Sequence, residues 1–348
     1  MKRTGVRNSL NRPRIDEIDV KIIGILQEDP RTTYLQLSKE CQISIDSVRR
    51  RYERLRREGV VVTEIIALLP KAMGSECTSW LGIVTQPGKE DEVLENLKKK
   101  PEILLNFVEI GKYNIRSILG LRHLEDLASY VDSIKKIPYI NDVDVMIWSG
   151  IKGMAYPRNL VIEPFSGTKE ETNNDDVEIK TSSTSLVSDG TIEKANLPLS
   201  ITCPSMDKID ESILNILIHN ARIPFSTISK EVGISTKTVI CRYRKLKKEW
   251  VAYSTLAINL RSLGYTGYVS YNIKVMPKSW INDVYDKIVK IPNIIAALKL
   301  IGPYNINVVA PFSKPEQLMK LHTQISEIPG IERIDQQIGD SMHVWPAR

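Results

Sequence analysis

The sequence contains few of the residues that bind metal ions or form disulfides. Its 348 residues include only four cysteines and four histidines. Cys41, Cys77, Cys203 and Cys241 form no C-x-x-C pair and share no spacing with the histidines, so neither a zinc site nor a disulfide framework is predicted. We therefore expect a protein without a metal or other cofactor that works in a reducing compartment.

Long hydrophobic runs are also missing. The segment from Met1 to Arg14 contains no apolar run of the kind found in signal peptides, and no later stretch is long enough to span a bilayer. We expect a cytoplasmic protein with no membrane partner. Residues 1–14 instead form a basic tail, either a disordered extension or an arm that lies on DNA. Its basic residues are Lys2, Arg3, Arg7, Arg12 and Arg14.

What the sequence has in excess is clustered positive charge. The net charge of +6 and the pI of about 8.9 are only mildly basic. However, the segment from Ser47 to Glu58 holds six arginines against two glutamates, a local charge of +4. Charge concentrated on one helix is typical of nucleic-acid binding, and a solvated helix face is the alternative.

This basic segment is predicted to be a helix with one buried stripe. Val48, Tyr52 and Leu55 are spaced i, i+4 and i+7, so they share one face. Ser44 can cap the helix and approach a phosphate together with the N–H groups of the first turn. Arg51 lies about 60° from the apolar stripe, so we expect its guanidinium to reach sideways to a phosphate.

The surrounding sequence predicts a complete DNA-binding head and a second domain. Helical periodicity from Ile15 to Gln27 and from about Thr32 to Glu40 precedes the basic helix, which indicates a helix-turn-helix over residues 15–60. Residues 61–162 then follow a βαββαβ order, which predicts a ferredoxin-like sheet with both helices on one face. The expected fold class is α+β, with winged or plain helix-turn-helix heads and ferredoxin-like domains.

A polar segment separates this unit from the rest of the chain. Residues 163–205 are rich in Ser, Thr, Asn and Asp and are predicted to be a flexible linker. A flexible chain of roughly 40 residues spans on the order of 35 Å, which is close to one turn of DNA. Such a linker permits two heads to reach adjacent half-sites.

After the linker the whole unit repeats. Arg242 and Tyr304 repeat Arg51 and Tyr113 at one constant offset along the chain. The repeat predicts a second helix-turn-helix over residues 206–250 and a second ferredoxin-like domain over 251–348. Because the duplication is held in register, we expect a pseudo-twofold dimer within one chain and further homo-oligomers of it.

These patterns together resemble a known family. The head reads I-D-x-x-I, then L-S-K-E, then V-x-x-R-Y-x-R-L, and the βαββαβ domain carries a Gly-x-Tyr-x turn. In this combination the chain resembles two fused subunits of the Lrp/AsnC family of archaeal and bacterial transcription regulators. The resemblance covers nearly all of the chain apart from the tail and the linker. It implies a sequence-specific regulator, not an enzyme, whose partner is double-stranded DNA.

The resemblance also implies which residues contact DNA. In the first head they are Ser44, Asp46, Ser47, Arg49, Arg50 and Arg54. In the second head they are Ser235, Lys237, Thr238, Ile240 and Lys245. The helix positions add Arg51, its counterpart Arg242, and Arg244. Because Ile240 and Cys241 replace Arg49 and Arg50, we expect the two heads to recognise different half-sites.

A small-molecule effector site is implied at the turn between the central strands of each domain. Its residues would be Gly111, Tyr113, Asn114, Gly302, Tyr304 and Asn305. The family usually has Asp where this chain has Asn114 and Asn305, so the obvious partner for an amino-acid ammonium is missing. The alternative is that Gly and Asn simply shape a tight β-turn.

Two other functions stay open. Siroheme decarboxylases resemble Lrp/AsnC units and carry a Tyr-Asn pair in the equivalent turn, as this chain does in both copies. Those enzymes use histidine and arginine around a tetrapyrrole, however, and the strands that precede the two turns contain no histidine. The second alternative is a regulator that acts mainly through protein contacts, with one head as the interaction surface.

Overall fold

The computed structural model describes residues 13–150, 160–162 and 206–340. Residues 1–12, the predicted linker 163–205, and residues 341–348 lie outside the described residues, and Cys203 and His343 lie there with them. The described residues form two successive units, each a helix-turn-helix head followed by a ferredoxin-like domain. The expected α+β fold class is therefore confirmed.

The first unit contains five α-helices and six strands among the described residues. They are α1 (Glu17–Glu28), α2 (Tyr34–Cys41), α3 (Ile45–Arg57), β1 (Val61–Leu68), β2 (Cys77–Thr85), α4 (Glu90–Leu97), β3 (Ile103–Val108), β4 (Ile110–Gly111), β5 (Ile115–Leu121), α5 (Leu127–Lys135) and β6 (Ile140–Gly150). Residues Leu124–Asp126 form a 3-10 turn, and α5 begins after it.

The second unit repeats this order with one strand fewer. Its elements are α6 (Lys208–His219), α7 (Phe225–Val232), α8 (Thr236–Glu249), β7 (Val251–Ile258), β8 (Gly267–Val275), α9 (Ile281–Ile288), β9 (Ala296–Ile301), β10 (Ile306–Phe312), α10 (Pro315–Ser326) and β11 (Ile331–Asp340). We refer to α1–α3 as head 1 and to α6–α8 as head 2.

Serine caps determine where the third helix of each head begins. The Ser44 hydroxyl accepts a hydrogen bond from the backbone N–H of Ser47 at 3.2 Å. Ser235 does the same for Thr238 at 3.1 Å. Each cap satisfies an N–H group that has no partner within the helix. As a result, α3 and α8 begin at equivalent residues.

The two helices end differently. Gly59 follows α3 in the left-handed region, with φ of +71°. Trp250 holds the same position after α8 but has φ of −124°. A residue with a β-carbon avoids the left-handed region, so α8 continues to Glu249 and the chain passes directly into β7.

A two-stranded antiparallel ribbon joins the units beneath the heads. It consists of β1 and β7, with Glu64 opposite Leu256 and Ile65 opposite Thr255. In the repeat Thr255 is the counterpart of Glu64 and Leu256 is the counterpart of Ile65, so the ribbon pairs equivalent residues crosswise. The strands also exchange heads, since α1 packs on β7 and α6 packs on β1. The Thr255 hydroxyl, for example, donates to the carbonyl of Gln27 at 2.7 Å.

The two ferredoxin-like domains share one nine-stranded sheet. Its order is β3-β5-β2-β6-β9-β10-β8-β11-β4. The units meet at two equivalent seams: β6 pairs with β9 through Ile147 and Ile301, and β11 pairs with β4 through Ile338 and Ile110. Because β4 follows β3 after a single residue, the two ends of the sheet are joined through the chain.

One face of the sheet is covered by helices, and the opposite face is buried where the two domains meet. The helices α4 and α5 cover one hydrophobic cluster, and α9 and α10 cover another. The opposite faces of the two domains meet, where Trp80, Tyr113 and Met146 contact Leu298 and Tyr304. The residues in this interior contact come from both units, so neither domain completes it alone.

The segment 160–162 was expected to close the first ferredoxin-like domain. In the structure Leu160 and Ile162 are buried in the cluster that contains the core of head 1. Tyr265, just before β8, donates from its hydroxyl to the Val161 carbonyl at 2.5 Å. The segment therefore lies against head 1 and the second unit.

Candidate nucleic-acid interface

The inner face of each third helix is buried as the sequence predicts. Val48, Tyr52 and Leu55 of α3 are at most 3% exposed. Their counterparts in α8, Val239, Tyr243 and Leu246, are buried in head 2. These stripes fix the rotation of both helices, so the remaining positions face outward.

The outward positions hold most of the residues expected to contact DNA. The exposed ones are Ser44, Asp46, Arg49, Arg50, Ser235, Lys237, Thr238, Arg244 and Lys245. The half-buried ones are Ser47, Arg51, Arg54, Ile240 and Arg242. Arg49 also pairs with Glu53 one turn later at 2.9 Å. This i, i+4 ion pair is exposed and contributes little to stability.

Arg51 and Arg54 are turned toward the start of α1. Arg51 pairs with Asp16 at 2.7 Å and with Asp19 at 2.9 Å, and Arg54 pairs with the same Asp19. The Asp19 side chain is fully buried, so its charge needs cationic partners. These contacts hold α3 against α1. They direct Arg51 sideways, as expected, but to carboxylates of its own head.

Head 2 repeats the arrangement. Arg242 pairs with Asp207 and, at 2.9 Å, with Asp210, which are the counterparts of Asp16 and Asp19 in the repeat. Hydrogen bonds from Arg242 and from the Asp210 backbone lower the pKa of Asp207 below its usual value. In both heads, therefore, equivalent arginines, Arg51 and Arg242, position the third helix on the first, and in head 1 Arg54 adds a second contact.

A cleft of about 460 Å³ lies beside this cluster in head 1. It is lined by Arg14, Asp16, Asp19, Ser47, Arg50, Arg51 and Arg54. The Arg14 carbonyl accepts from Arg54 at 3.0 Å, which brings the end of the basic tail to the same place. The cleft thus lies beside the start of α3 and combines arginines with two carboxylates, with which Arg51 and Arg54 are already paired.

The turns expected to bind an effector are held by contacts at the seams. The Tyr113 hydroxyl donates to Asp144 at 2.7 Å, and the Tyr304 hydroxyl donates to Asp335 at 2.6 Å. Both tyrosine rings are at most 1% exposed. Lys112 adds a contact between the units, since its ammonium lies 2.9 Å from Asp144 and 3.1 Å from the Tyr304 hydroxyl.

Glycine and asparagine in these turns have defined structural tasks. Gly111 and Gly302 have φ of +152° and +145°, and a β-carbon on Gly302 would lie 2.5 Å from the Val145 carbonyl oxygen. The Asn114 side-chain oxygen accepts from the Thr85 N–H at 3.0 Å, and Asn305 accepts from Val275 at 2.9 Å. The geometry favours the tight-turn interpretation, because each residue already has a use in the fold.

Sequence reasoning missed a buried charged cluster between the two ferredoxin-like domains. Arg116 is 1% exposed and pairs with the buried Glu109 at 2.6 Å. It also donates to Ser270 of the second unit at 2.6 Å, and Glu109 accepts from the Tyr268 hydroxyl at 2.8 Å. A signal existed in the repeat, since Leu300 and Asn307 are the counterparts of Glu109 and Arg116 and carry no charge.

Two basic recognition helices on paired heads define a helix-turn-helix DNA-binding protein. Residues 15–62 match the family model for winged helix-turn-helix DNA-binding domains, and residues 206–247 match the AsnC-type helix-turn-helix domain. The chain belongs to the Lrp/AsnC family of transcription regulators.

The relatives are about half as long as this chain. An uncharacterized HTH-type transcriptional regulator of Pyrococcus abyssi is 31% identical over 42% of this chain and 92% of its own length. FL11 of Pyrococcus horikoshii is 31% identical over 39% of this chain and 90% of its own length. Ptr1 of Methanocaldococcus jannaschii is 32% identical over 36% of this chain and 85% of its own length. Each relative therefore corresponds to one unit.

A solved structure shares the two-unit architecture. The siroheme decarboxylase NirDL superposes with a TM-score of 0.56 over 92% of this chain and 90% of its own, at 14% identity. This likeness concerns the fold.

In the part of the chain that the structure describes, no group of three or more His, Cys, Asp or Glu side chains could hold a metal ion. None of the helices described is long and apolar enough to cross a membrane.

Proposed function

We propose that this chain is a covalent pseudo-dimer that binds double-stranded DNA with both heads, in the cytoplasm and without catalytic activity. The observation that carries the proposal is the pairing of two equivalent helices, α3 and α8. Each buries an apolar stripe and presents polar and basic side chains outward. The ribbon of β1 and β7 joins the heads that carry them.

The outward residues divide into two groups by position. Ser44, Ser47, Arg49 and Arg50 lie at the start of α3, which is the part of a recognition helix that contacts base edges. Arg56 and Arg57 lie in its last turn and suit phosphate contacts, which supply affinity without sequence information. We assign Arg51 and Arg242 to positioning each helix, because both are already paired with carboxylates.

The two heads differ where specificity is determined. At the positions of Arg49 and Arg50, head 2 has the half-buried Ile240 and the exposed Cys241. Arginine suits the guanine edge, whereas an aliphatic side chain suits the thymine methyl group. We therefore propose an asymmetric operator whose two half-sites differ.

The test is a titration by fluorescence anisotropy at several salt concentrations. The probes are a duplex selected by the protein from a random 40-bp library and a scrambled version of it. Arg49→Ala/Arg50→Ala is expected to lose the preference for the selected duplex. Lys98→Ala/Lys99→Ala removes the same charge from a ferredoxin-like domain and is expected to keep it. Equal binding of both duplexes by the parent protein would refute sequence-specific regulation and favour the protein-contact alternative.

The architecture shared with NirDL calls for a separate test of tetrapyrrole chemistry. The described histidines are scattered: His123 is exposed after β5, His219 ends α6, and His322 lies on α10 beside Tyr271. Siroheme incubated with the protein is therefore expected to keep its absorbance spectrum and its carboxyl groups. A spectral shift together with loss of CO₂ would overturn the non-enzyme proposal.

A further inference from the structure

The two heads touch through the loops between their first and second helices. Arg31 lies in the loop after α1, and Arg222 lies at the equivalent position after α6. Each loop begins with a side-chain turn: the Arg31 N–H donates to Asp29 at 3.0 Å, and the Arg222 N–H donates to Asn220 at 3.1 Å. The backbone of each loop therefore holds its arginine in the same local geometry.

Each arginine reaches into the other head. The Arg31 guanidinium donates to the carbonyls of Ala221 and Ile223 at 2.5 and 2.8 Å. These are the two residues that flank Arg222. In return, Arg222 donates to the carbonyl of Thr32, which follows Arg31, at 3.0 Å. We call this reciprocal contact the arginine crossover.

Aromatic rings complete the crossover on both sides. The Arg31 guanidinium lies 3.9 Å from the ring centroid of Phe225, the first residue of α7. The Arg222 guanidinium lies 4.9 Å from Tyr34 and 5.2 Å from Tyr52. Because Tyr52 belongs to the buried stripe of α3, the contact reaches the recognition helix of head 1 directly. Planar stacking and paired donation are properties of arginine that lysine does not share.

The two sides of the crossover are not equal. Arg222 lies 3.9 Å from the buried Glu64, which also accepts a hydrogen bond from Tyr52. The counterpart of Glu64 in the repeat is Thr255, so Arg31 gains no equivalent carboxylate from β7. Burial lowers the pKa of Arg31 below its ordinary value. The two sides therefore differ in kind. Arg31 makes two carbonyl hydrogen bonds with no facing carboxylate, whereas Arg222 makes one and lies beside Glu64.

We propose that Arg31 and Arg222 determine which half-site spacing the protein accepts, by fixing the two recognition helices relative to each other. This inference rests on the proposed function, because it requires both heads to bind one duplex. Neither guanidinium needs to touch DNA, since each is occupied by the opposite head. Each inserted base pair moves one half-site by about 3.4 Å and rotates it by about 35° around the duplex. Linked heads follow such a change only by deforming the DNA or breaking the link.

The test compares spacing profiles. The probe is the duplex selected by the parent protein, with one to five base pairs inserted between its half-sites. The parent is expected to lose affinity by on the order of tenfold or more for the first insertions, because the DNA must deform to reach both linked heads. Arg31→Lys/Arg222→Lys keeps the charge but not the crossover. The affinity of this variant is expected to change little with half-site spacing. Arg122→Lys/Arg333→Lys, at exposed positions of the ferredoxin-like domains, is expected to match the parent.

Every outcome decides between the two proposals. A parent that prefers its selected duplex but tolerates all spacings refutes the crossover inference and leaves the regulator intact. A Lys/Lys variant with the parent's profile also refutes it. If the parent has no preference for the selected duplex, both proposals fail. Should the double variant melt at a much lower temperature, Arg31→Lys alone removes one side of the crossover and is expected to broaden the profile in the folded protein.

Discussion

Arg116 touches its own counterpart. Its guanidinium lies 3.4 Å from the side-chain oxygen of Asn307, which stands at the equivalent position of the second unit. The same guanidinium donates to Ser270 at 2.6 Å and pairs with Glu109 at 2.6 Å. A buried charge pair is thus supplied entirely by the first unit, while the second unit supplies neutral partners.

Removing the cation from this cluster should be costly. Arg116→Asn leaves Glu109 buried without its positive partner, so we expect a loss of about 3–5 kcal/mol in the free energy of unfolding. Glu109→Leu/Arg116→Asn introduces the residues of the second unit at both positions and should recover much of this loss. Urea unfolding measures both. An Arg116→Asn variant as stable as the parent would contradict the assignment.

The seam at Asp144 predicts a dependence of stability on pH. Although burial favours the neutral acid, hydrogen bonds from Lys112 and Tyr113 hold the pKa of Asp144 below its ordinary value of 3.8. A lowered pKa contributes stability above the unfolded value that is lost as pH falls through the folded one. Asp144→Asn should therefore melt lower than the parent at pH 7, and the difference should shrink below about pH 4. A constant difference from pH 7 to pH 3 would exclude this linkage.

Alanine at Gly111 should weaken the other seam. Its φ of +152° disfavours any side chain, and a β-carbon would overlap the Gln336 carbonyl oxygen. We expect Gly111→Ala to lower the melting temperature. Gly24→Ala is the matched control, because Gly24 lies in α1 with nothing within 4 Å of a new β-carbon. That change should stabilise the helix by about 0.5–1 kcal/mol, and similar shifts for both variants would argue against the contact.

Head 2 can be given the residues of head 1. Ile240→Arg/Cys241→Arg adds two cations at the positions of Arg49 and Arg50, so the operator preference should move toward a palindrome of the head 1 half-site. Each new arginine that pairs with a guanine edge should add about 1–3 kcal/mol of discrimination in favour of that half-site. Met276→Arg/Met319→Arg adds the same charge at exposed sites on the second ferredoxin-like domain. If both variants behave alike, the positions in α8 do not contact DNA.

Features with a local pattern were predictable from the sequence. The stripe of Val48, Tyr52 and Leu55, the serine cap of α3 and the βαββαβ order all follow from spacing over a few residues, and the repeat supplied the second copy. What could not be predicted depends on side chains that meet across long sequence separations. Arg51 finds its partner Asp19 in a different helix, and Arg31 finds its acceptor Ala221 in the other unit.

The same limit explains the missed interior cluster. An arginine within a strand predicts a solvent-exposed side chain, because isolated charges are rarely buried. Arg116 is buried because the second unit covers it and Glu109 neutralises it. The sheet order that brings Ser270 to the guanidinium depends on pairing between units, which neither unit's periodicity encodes. Only the comparison of Arg116 with Asn307 and of Glu109 with Leu300 showed that this position differs between the copies.

The contact between Arg116 and Ser270 also bears on how such a protein evolves. In a dimer of identical subunits every mutation changes both sides of the interface at once. A buried charge would therefore appear twice near the twofold axis of the dimer. Here a mutation changes one side only. A second mutation can then adjust the opposite surface without altering the first. Gene fusion thereby turns a single self-complementary surface into two independently selectable ones, and it allows the DNA-binding heads to diverge in the same way.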